Sequence, residues 1–441
     1  MSLGIKTLGC NGLCRSCYEN RIRSVFSDTS YDIEAILTTI EKETVGIPEN
    51  QRYSGVCLHG GEPLLLEFED LEKLLSKIHS LYGRTTIQTN GTLISDKIIE
   101  LFKKYKTSVG ISIDGDTAEL NYGRWNGGNL TMKQVQEMTD KVLYNMKKCK
   151  EAGLSLSVIA LLRKYNASQE RLGGFIRFLR RLKDEFGVGS VRINKCIVYE
   201  EEYRKEEELT NKEMGEAHCK LADICFSSPE IDWLPYRDVV DSLMGYRNAT
   251  CVFTECDVWR TQSERTIMWD GSIGCCLQGG AAVDGIQALA AEESSKERYV
   301  ILRQIPQALK GCKDCRYWFM CKGGCPGEGV DNDWRNRTRW CEAWKMLFSH
   351  AEKRIRGLFP NVYTLPMFYP AWPSPSQIQY AFGNEGSTWK CGKRKDIREL
   401  KERCEETDET SAHGDLGHGD KGHGDLGHGD NPHGDRPHGD G

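Results

Sequence analysis

The chain has 441 residues, 39% of them hydrophobic, and a formal net charge of -5. That is enough for one large core and a smaller satellite domain. The charge balance offers no basic patch for nucleic acid, and no run approaches the roughly 18 to 20 apolar residues of a membrane span. The opening MSLGIKTLGC has no apolar signal-peptide core, so a cytoplasmic protein is expected. In that reducing compartment, 19 cysteines point to metal ligation over a disulfide framework.

Along the first 200 residues, short apolar runs alternate with amphipathic stretches, the pattern of a parallel α/β domain. Strands are predicted over 4–8, 55–59, 85–89, 108–114, 154–161 and 190–194. Between them, FEDLEKLLSKIHSLY and MKQVQEMTDKVLYNMKKCKEA place apolar residues at three and four spacing, as helices do. Six strands with intervening helices suggest a partial or full barrel, whose chemistry sits where strands give way to loops. Cys10, Gly60 and Asp114 all fall at such exits. The charged stretch EEEYRKEEELTNKE, 200–213, then reads as a boundary. A cysteine-rich region over about 250–345 and a Pro- and aromatic-rich extension follow.

Two cysteine patterns carry the chemistry. The first is Cys10-x3-Cys14-x2-Cys17. The second runs Cys256-x14-Gly271-x4-Cys276, then Cys312-x2-Cys315-x5-Cys321-x3-Cys325, then Cys341. Steps this short put soft thiolates close together on one loop, which suits an iron-sulfur cluster or zinc and would strain a disulfide.

With CNGLCRSC beginning at Cys10, GGEP at Gly60, Gly61, Glu62 and Pro63, QTNG at Gln88 to Gly91 and SIDG at Ser112 to Gly115, the chain resembles the radical SAM superfamily. The motifs come in order on successive predicted strands. The later cysteine pattern resembles the SPASM auxiliary-cluster domain of the superfamily's peptide-modifying members. Together the resemblances cover about residues 5 to 345. They imply an α/β fold: a partial (β/α)6 barrel over 1–215, a bridge over 216–250, a SPASM domain over 251–345, an extension over 346–412 and a disordered tail over 413–441.

The resemblance also implies cofactors. Cys10, Cys14 and Cys17 would hold three irons of a 4Fe-4S cluster and leave the fourth open to S-adenosylmethionine, whose cleavage gives a 5'-deoxyadenosyl radical. GGEP would bring backbone against the methionine moiety, and Ser112 and Asp114 would bond the ribose hydroxyls. Where members carry an aromatic residue before the third cysteine, this chain has Ser16, and Tyr18 would take part of the adenine packing.

By the same resemblance Cys312, Cys315, Cys321 and Cys341 hold a distal auxiliary cluster, while Cys325 joins Cys256 and Cys276 at a proximal one. Cys251 is placed to complete the proximal set, with Cys275 as the alternative, which gives three 4Fe-4S clusters in all. Two structural zinc sites are the other reading of these thiolates. Cys57, Cys149, Cys219 and Cys225 are expected to be buried structural cysteines, Cys196 lies near the predicted cavity, and Cys391 and Cys404 are assigned no role.

The resemblance points to an oxidoreductase acting on a peptide or protein, oxidising or crosslinking a side chain. It implies an external electron donor such as flavodoxin or ferredoxin, and neither nucleic acid nor membrane as partner. Sulfatase maturation is disfavoured, because those enzymes carry an aspartate base where this chain has Leu277 followed by Gln278. A radical SAM dehydrogenase on a small molecule and a non-catalytic electron-transfer or metal-handling protein are the alternatives. Six His-Gly-Asp triplets at a five-residue period, starting at His413, have almost nothing to bury. They read as a weak divalent-metal site, as a fused substrate or as an inert repeat.

Overall fold

A computed structural model describes residues 3–17, 30–47, 53, 55–198, 201–244, 266–274, 298, 300–360 and 364. Tyr18, Cys251, Cys256, Cys275, Cys276, Leu277, Cys391, Cys404 and the His-Gly-Asp repeats lie outside these residues.

The six predicted strands form, β3 with the predicted ends and the others with ends moved by one or two residues: β1 Leu3–Thr7, β2 Val56–Gly60, β3 Thr85–Thr89, β4 Thr107–Ser112, β5 Leu156–Leu162 and β6 Val188–Lys195. They pair in sequence order, and every pair is parallel. Helices α1 Ile33–Thr44, α2 Phe68–Tyr82, α3 Asp96–Lys104, α4 Met132–Glu151 and α5 Leu172–Phe186 make the crossovers. The sheet runs further than the sequence indicated. Strand β7, Asp232–Leu234, extends it beyond β6, and β8, Thr266–Ile267, adds parallel to β1 with β9, Ile273–Gly274, antiparallel beyond it. Strands of two or three residues leave too short a run for period-two alternation to show.

The helices form for local reasons. Helix α2 buries Leu71, Leu74, Leu75 and Ile78, one stripe at three and four spacing, and has Glu69 and Asp70 in its first turn, where the helix dipole favours acids. Helix α4 starts at a capping box in which Thr131 and Gln134 satisfy each other's backbone N–H. Its buried face includes Val135, Val142, Met146 and Cys149.

Burial alternates along each strand and divides the sheet into two faces. Leu58, Ile87, Val109, Val158, Val191 and Ile193 are fully buried in the core. Their neighbours His59, Gln88, Ser112, Ser157, Arg192 and Asn194 are half-buried and polar. A parallel sheet normally buries both faces in apolar residues. Here one face is kept for something polar.

The charged stretch is largely helical. It forms α6, Glu201–Glu207, and the start of α7, Asn211–Ser227, so the predicted boundary at 215 falls inside a helix. Glu207 is fully buried and Glu208 nearly so. Residues 1–394 make one compact unit, which contains every described residue. After β7 come α8, Tyr236–Leu243, and finally α9, Cys341–Leu358, which packs on α7. Cys149 and Cys225 are buried as expected, whereas Cys57 and Cys219 are half-buried. Among the described residues no helix is long and apolar enough to cross a membrane.

Candidate active site

The first cysteine loop leaves the C-terminal end of β1 and is gripped from two sides. On one side the GGEP turn lies against it. The Glu62 N–H donates to Gly9 O at 2.8 Å, and a Cβ at Gly61 would stand 1.7 Å from that same oxygen. Only glycine fits there. Buried Glu62 reaches the next motif, accepting from Thr89 Oγ1 at 2.6 Å, Asn90 N at 2.7 Å and Leu64 N at 3.1 Å. Burial raises its pKa, with these three donors working the other way. Asn90 in turn donates to Asn11 Oδ1 at 2.7 Å, and its Nδ2 lies 3.9 Å from Cys10 Sγ. GGEP and QTNG therefore shape the cysteine loop as well as lining the strand exits.

The second grip comes from RWNGG, 124–128, a segment outside the cysteine, GGEP, QTNG and SIDG motifs. Cys14 Sγ donates to Arg124 O at 3.0 Å, and Asn126 Oδ1 accepts from Arg15 N at 3.1 Å. Gly127 N donates to Leu13 O at 2.5 Å. Behind this segment lies a buried charge relay. Asp114 Oδ1 is 2.7 Å from Arg124, and Asp114 Oδ2 is 3.1 Å from Arg163 Nε. Arg163 also reaches Glu207 at 3.1 Å, and Glu207 accepts from Asn126 at 2.6 Å. Buried charges of this kind persist only when paired, and each here has a partner of opposite sign.

Asp114 is thus fully buried, and Oδ1 also accepts from Leu161 N at 2.8 Å. Its carboxylate is engaged by protein, while Ser112, the other residue expected to meet ribose, is half-buried. Ser112 accepts from Gln88 Nε2 at 2.9 Å. Gln88 fits because Gly110 has no Cβ, which would otherwise stand 2.1 Å from its Oε1. Cys10, Cys14 and Cys17 are all half-buried on this loop, and Ser16 between them is buried.

Cys312, Cys315, Cys321 and Cys341 line one cavity with Tyr317 and Trp344. Turns at Cys312–Cys315 and Tyr317–Cys321 and the first residue of α9 bring the thiols together. Burial pushes the Cys312 thiol up to about 12, with Cys315 and Cys341 adding to the rise. Cys321 is driven well up by burial and then by Cys341, Cys312 and Cys315. Two buried thiols, Cys312 and Cys341, and two half-buried ones, Cys315 and Cys321, face one cavity, a site that a cationic metal core would stabilise as thiolates. Among the described residues no three His, Cys, Asp or Glu gather closely enough for a single ion. A single zinc would hold its sulfurs at about 2.3 Å from one point, so thiols disposed around a cavity suit a larger cluster better. Cys325 is buried but does not line this cavity.

Residues 5–176 match the family described as the radical SAM superfamily. That segment is a radical SAM domain, and the chain is an enzyme. It is 21% identical over 388 residues to the cysteine-type anaerobic sulfatase-maturating enzyme of Clostridium perfringens strain 13, covering 82% of this chain and 99% of that one. The structure of native anSMEcpe with bound AdoMet and the Cp18Cys peptide superposes with a TM-score of 0.58 at 19% identity, again over 82% and 99% of the two chains. SuiB of Streptococcus suis bound to S-adenosylmethionine superposes with a TM-score of 0.52 at 14% identity, over 77% and 76%. At these identities the two solved structures show a common fold.

Proposed function

We propose that this radical SAM enzyme is a peptide or protein maturase that removes hydrogen from a side chain to oxidise or crosslink it. The observation that carries the reading is its similarity across nearly the whole length of a sulfatase-maturating enzyme, including the cysteine-rich part. A small-molecule enzyme needs no such length match with a protein-modifying one. The gathering of Cys312, Cys315, Cys321 and Cys341 around one cavity supports a SPASM-type auxiliary cluster. Leu277 in place of an aspartate base argues for a chemistry other than sulfatase maturation.

When bound at Cys10, Cys14 and Cys17, a 4Fe-4S cluster supplies reductive cleavage of S-adenosylmethionine to a 5'-deoxyadenosyl radical that takes hydrogen from substrate. The protein's own part is positioning. Glu62 and Asn90 on one side and Arg124 to Gly127 on the other fix the loop that carries the three thiols. The GGEP backbone would meet the methionine end of the cofactor, and Ser112 and Asp114 its ribose. Gly60 to Pro63, Ser112, Asp114 and Tyr18 are assigned to cofactor binding. Cys325 with Cys256, Cys276 and Cys251 or Cys275 is assigned to a proximal auxiliary cluster, to give three clusters in all. Electrons would come from a small donor protein such as flavodoxin or ferredoxin, in a cytoplasmic setting.

The test is anaerobic incubation of the reconstituted full-length protein with S-adenosylmethionine, reductant and peptide pools, followed by chromatography and mass spectrometry. The expected result is 5'-deoxyadenosine together with peptides lighter by a pair of hydrogens per bond formed. Cofactor cleavage that leaves every peptide unchanged but oxidises an added alcohol would favour the small-molecule dehydrogenase. No cleavage at all would leave only an electron-transfer or metal-handling role.

A further inference from the structure

Among the described residues, the polar face of the sheet carries a cation with no counter-charge. Arg192 lies in the middle of β6 and is half-buried. Among the described residues its guanidinium has no hydrogen-bond or ion-pair partner. In register it stands between Ile159 of β5 and Leu234 of β7, both apolar, and its neighbours on the same face of β6 are Ser190 and Asn194. The acid on this face among the described strand positions is Asp232, and Arg237 holds it at 3.2 Å. Across the sheet, β1 and β2 add Lys6 beside His59, whose pKa falls to about 4 through burial and then the Lys6 charge. His59 is therefore neutral near pH 7.

Other arginines of the barrel show what this chain does with a buried guanidinium. Arg124 and Arg163 are both paired with carboxylates. An arginine withdrawn from water without such a partner is disfavoured, and its planar fork matches a carboxylate in two parallel hydrogen bonds. Position sets what that anion belongs to. Ser112 pairs with Ile159, and Ile159 with Arg192, so Arg192 is level with Ser112 two strand spacings away, about 10 Å along the sheet. An anion there would lie at the depth of the cofactor sugar but far to one side of the GGEP turn.

We infer that Arg192 is a substrate-binding residue that receives a carboxylate side chain of the peptide, so that this enzyme selects substrates with an Asp or Glu next to the reacting residue. The inference rests on the maturase reading and narrows its substrate class. Lys6 would add long-range attraction without contact, and the apolar flanks Ile159 and Leu234 would exclude water and strengthen the pair.

Affinity selection tests it without turnover. Full-length protein carrying S-adenosylmethionine, without reductant, is offered random pentapeptide pools fixed at the central position as Asp, Glu, Asn or Lys, and retained peptides are counted by mass spectrometry. The Asp or Glu pool should be held at least about tenfold better than Asn, as expected for one charge-assisted bidentate pair. Arg192→Gln should abolish that preference and Arg192→Lys should restore part of it, with unchanged iron content showing that both variants fold. Equal retention of acidic and Asn pools, or a preference that survives in Arg192→Gln, would overturn the inference. So would an Arg192→Gln protein whose defect is weakened S-adenosylmethionine binding, because the anion would then be the cofactor's own carboxylate. Failure of the maturase reading would show separately, as reduced enzyme that alters no retained peptide.

Discussion

Lys195 Nζ sits 2.6 Å from Glu328 Oε2, both side chains are buried, and the pair joins the last strand of the barrel to the cysteine-rich region. Thr338, which lines the cysteine cavity, donates to the same Glu328 oxygen at 3.0 Å, and the Lys195 ammonium lies 4.8 Å over the ring of Trp344, another wall of that cavity. Strand β6 thus has Asn194 on the polar face and Lys195 against a wall of the cysteine cavity in consecutive positions.

Removing one partner of this pair leaves an uncompensated buried charge. Lys195→Met should cost about 3 to 5 kcal/mol of stability, whereas Lys195→Met with Glu328→Met should recover much of it. Urea denaturation of the two variants checks this. Equal losses in the single and double variants would mean that the ion pair is not what Lys195 contributes.

Iron content tests the ligand assignments. Anaerobically reconstituted protein should bind about twelve irons, three clusters of four. Replacing Cys10, Cys14 and Cys17 with Ala should remove about four irons and all 5'-deoxyadenosine formation. Cofactor cleavage persisting in that variant would place the radical site elsewhere.

The distal cavity should behave as a separate unit. Replacing Cys312 and Cys315 with Ala should remove about four irons while leaving S-adenosylmethionine bound at the first cluster. Elemental analysis showing zinc lost in place of iron would support the structural-zinc alternative.

His218 should make the fold acid-sensitive. Its ring is stacked on Trp344 and hydrogen-bonded to Tyr236 at 3.0 Å, and burial lowers its pKa from 6.5 to about 3. The unfolded state takes up a proton near 6.5 that the folded state refuses, so stability falls as pH drops from 6.5 towards 3. His218→Gln keeps a hydrogen-bonding group for Tyr236 but does not titrate, and should flatten that slope. Denaturation midpoints measured at several pH values would show the same slope in both proteins if other groups dominate.

The His-Gly-Asp repeats can be removed cleanly for a test. Truncation after Ser411 should leave iron content and folding unchanged while lowering affinity for nickel or zinc. If the repeats are a fused substrate, turnover of the full chain should make individual triplets lighter by a pair of hydrogens, which proteolysis and mass spectrometry would map. An unmodified repeat during active turnover would dispose of that reading.

The sequence by itself determined the barrel's six strands and the helices between them, because apolar spacing and turn residues are local signals. It also determined the loop of Cys10, Cys14 and Cys17, the GGEP and QTNG exits and the four thiols of the distal cavity, since ligand spacing is written along the chain. Tertiary structure alone decided how charge is used. EEEYRKEEELTNKE has the composition of a solvated linker, yet Glu207 and Glu208 turn inward because Arg163 and Arg339 await them across the fold. Asp114 sits within a motif, but pairing with Arg124 and Arg163 engages a carboxylate that the motif offered to ribose. Arg192 was one basic residue in a strand until register placed only apolar and neutral neighbours around it. Partnership between distant charges depends on which strands and helices meet, and nothing within a short window of sequence records that.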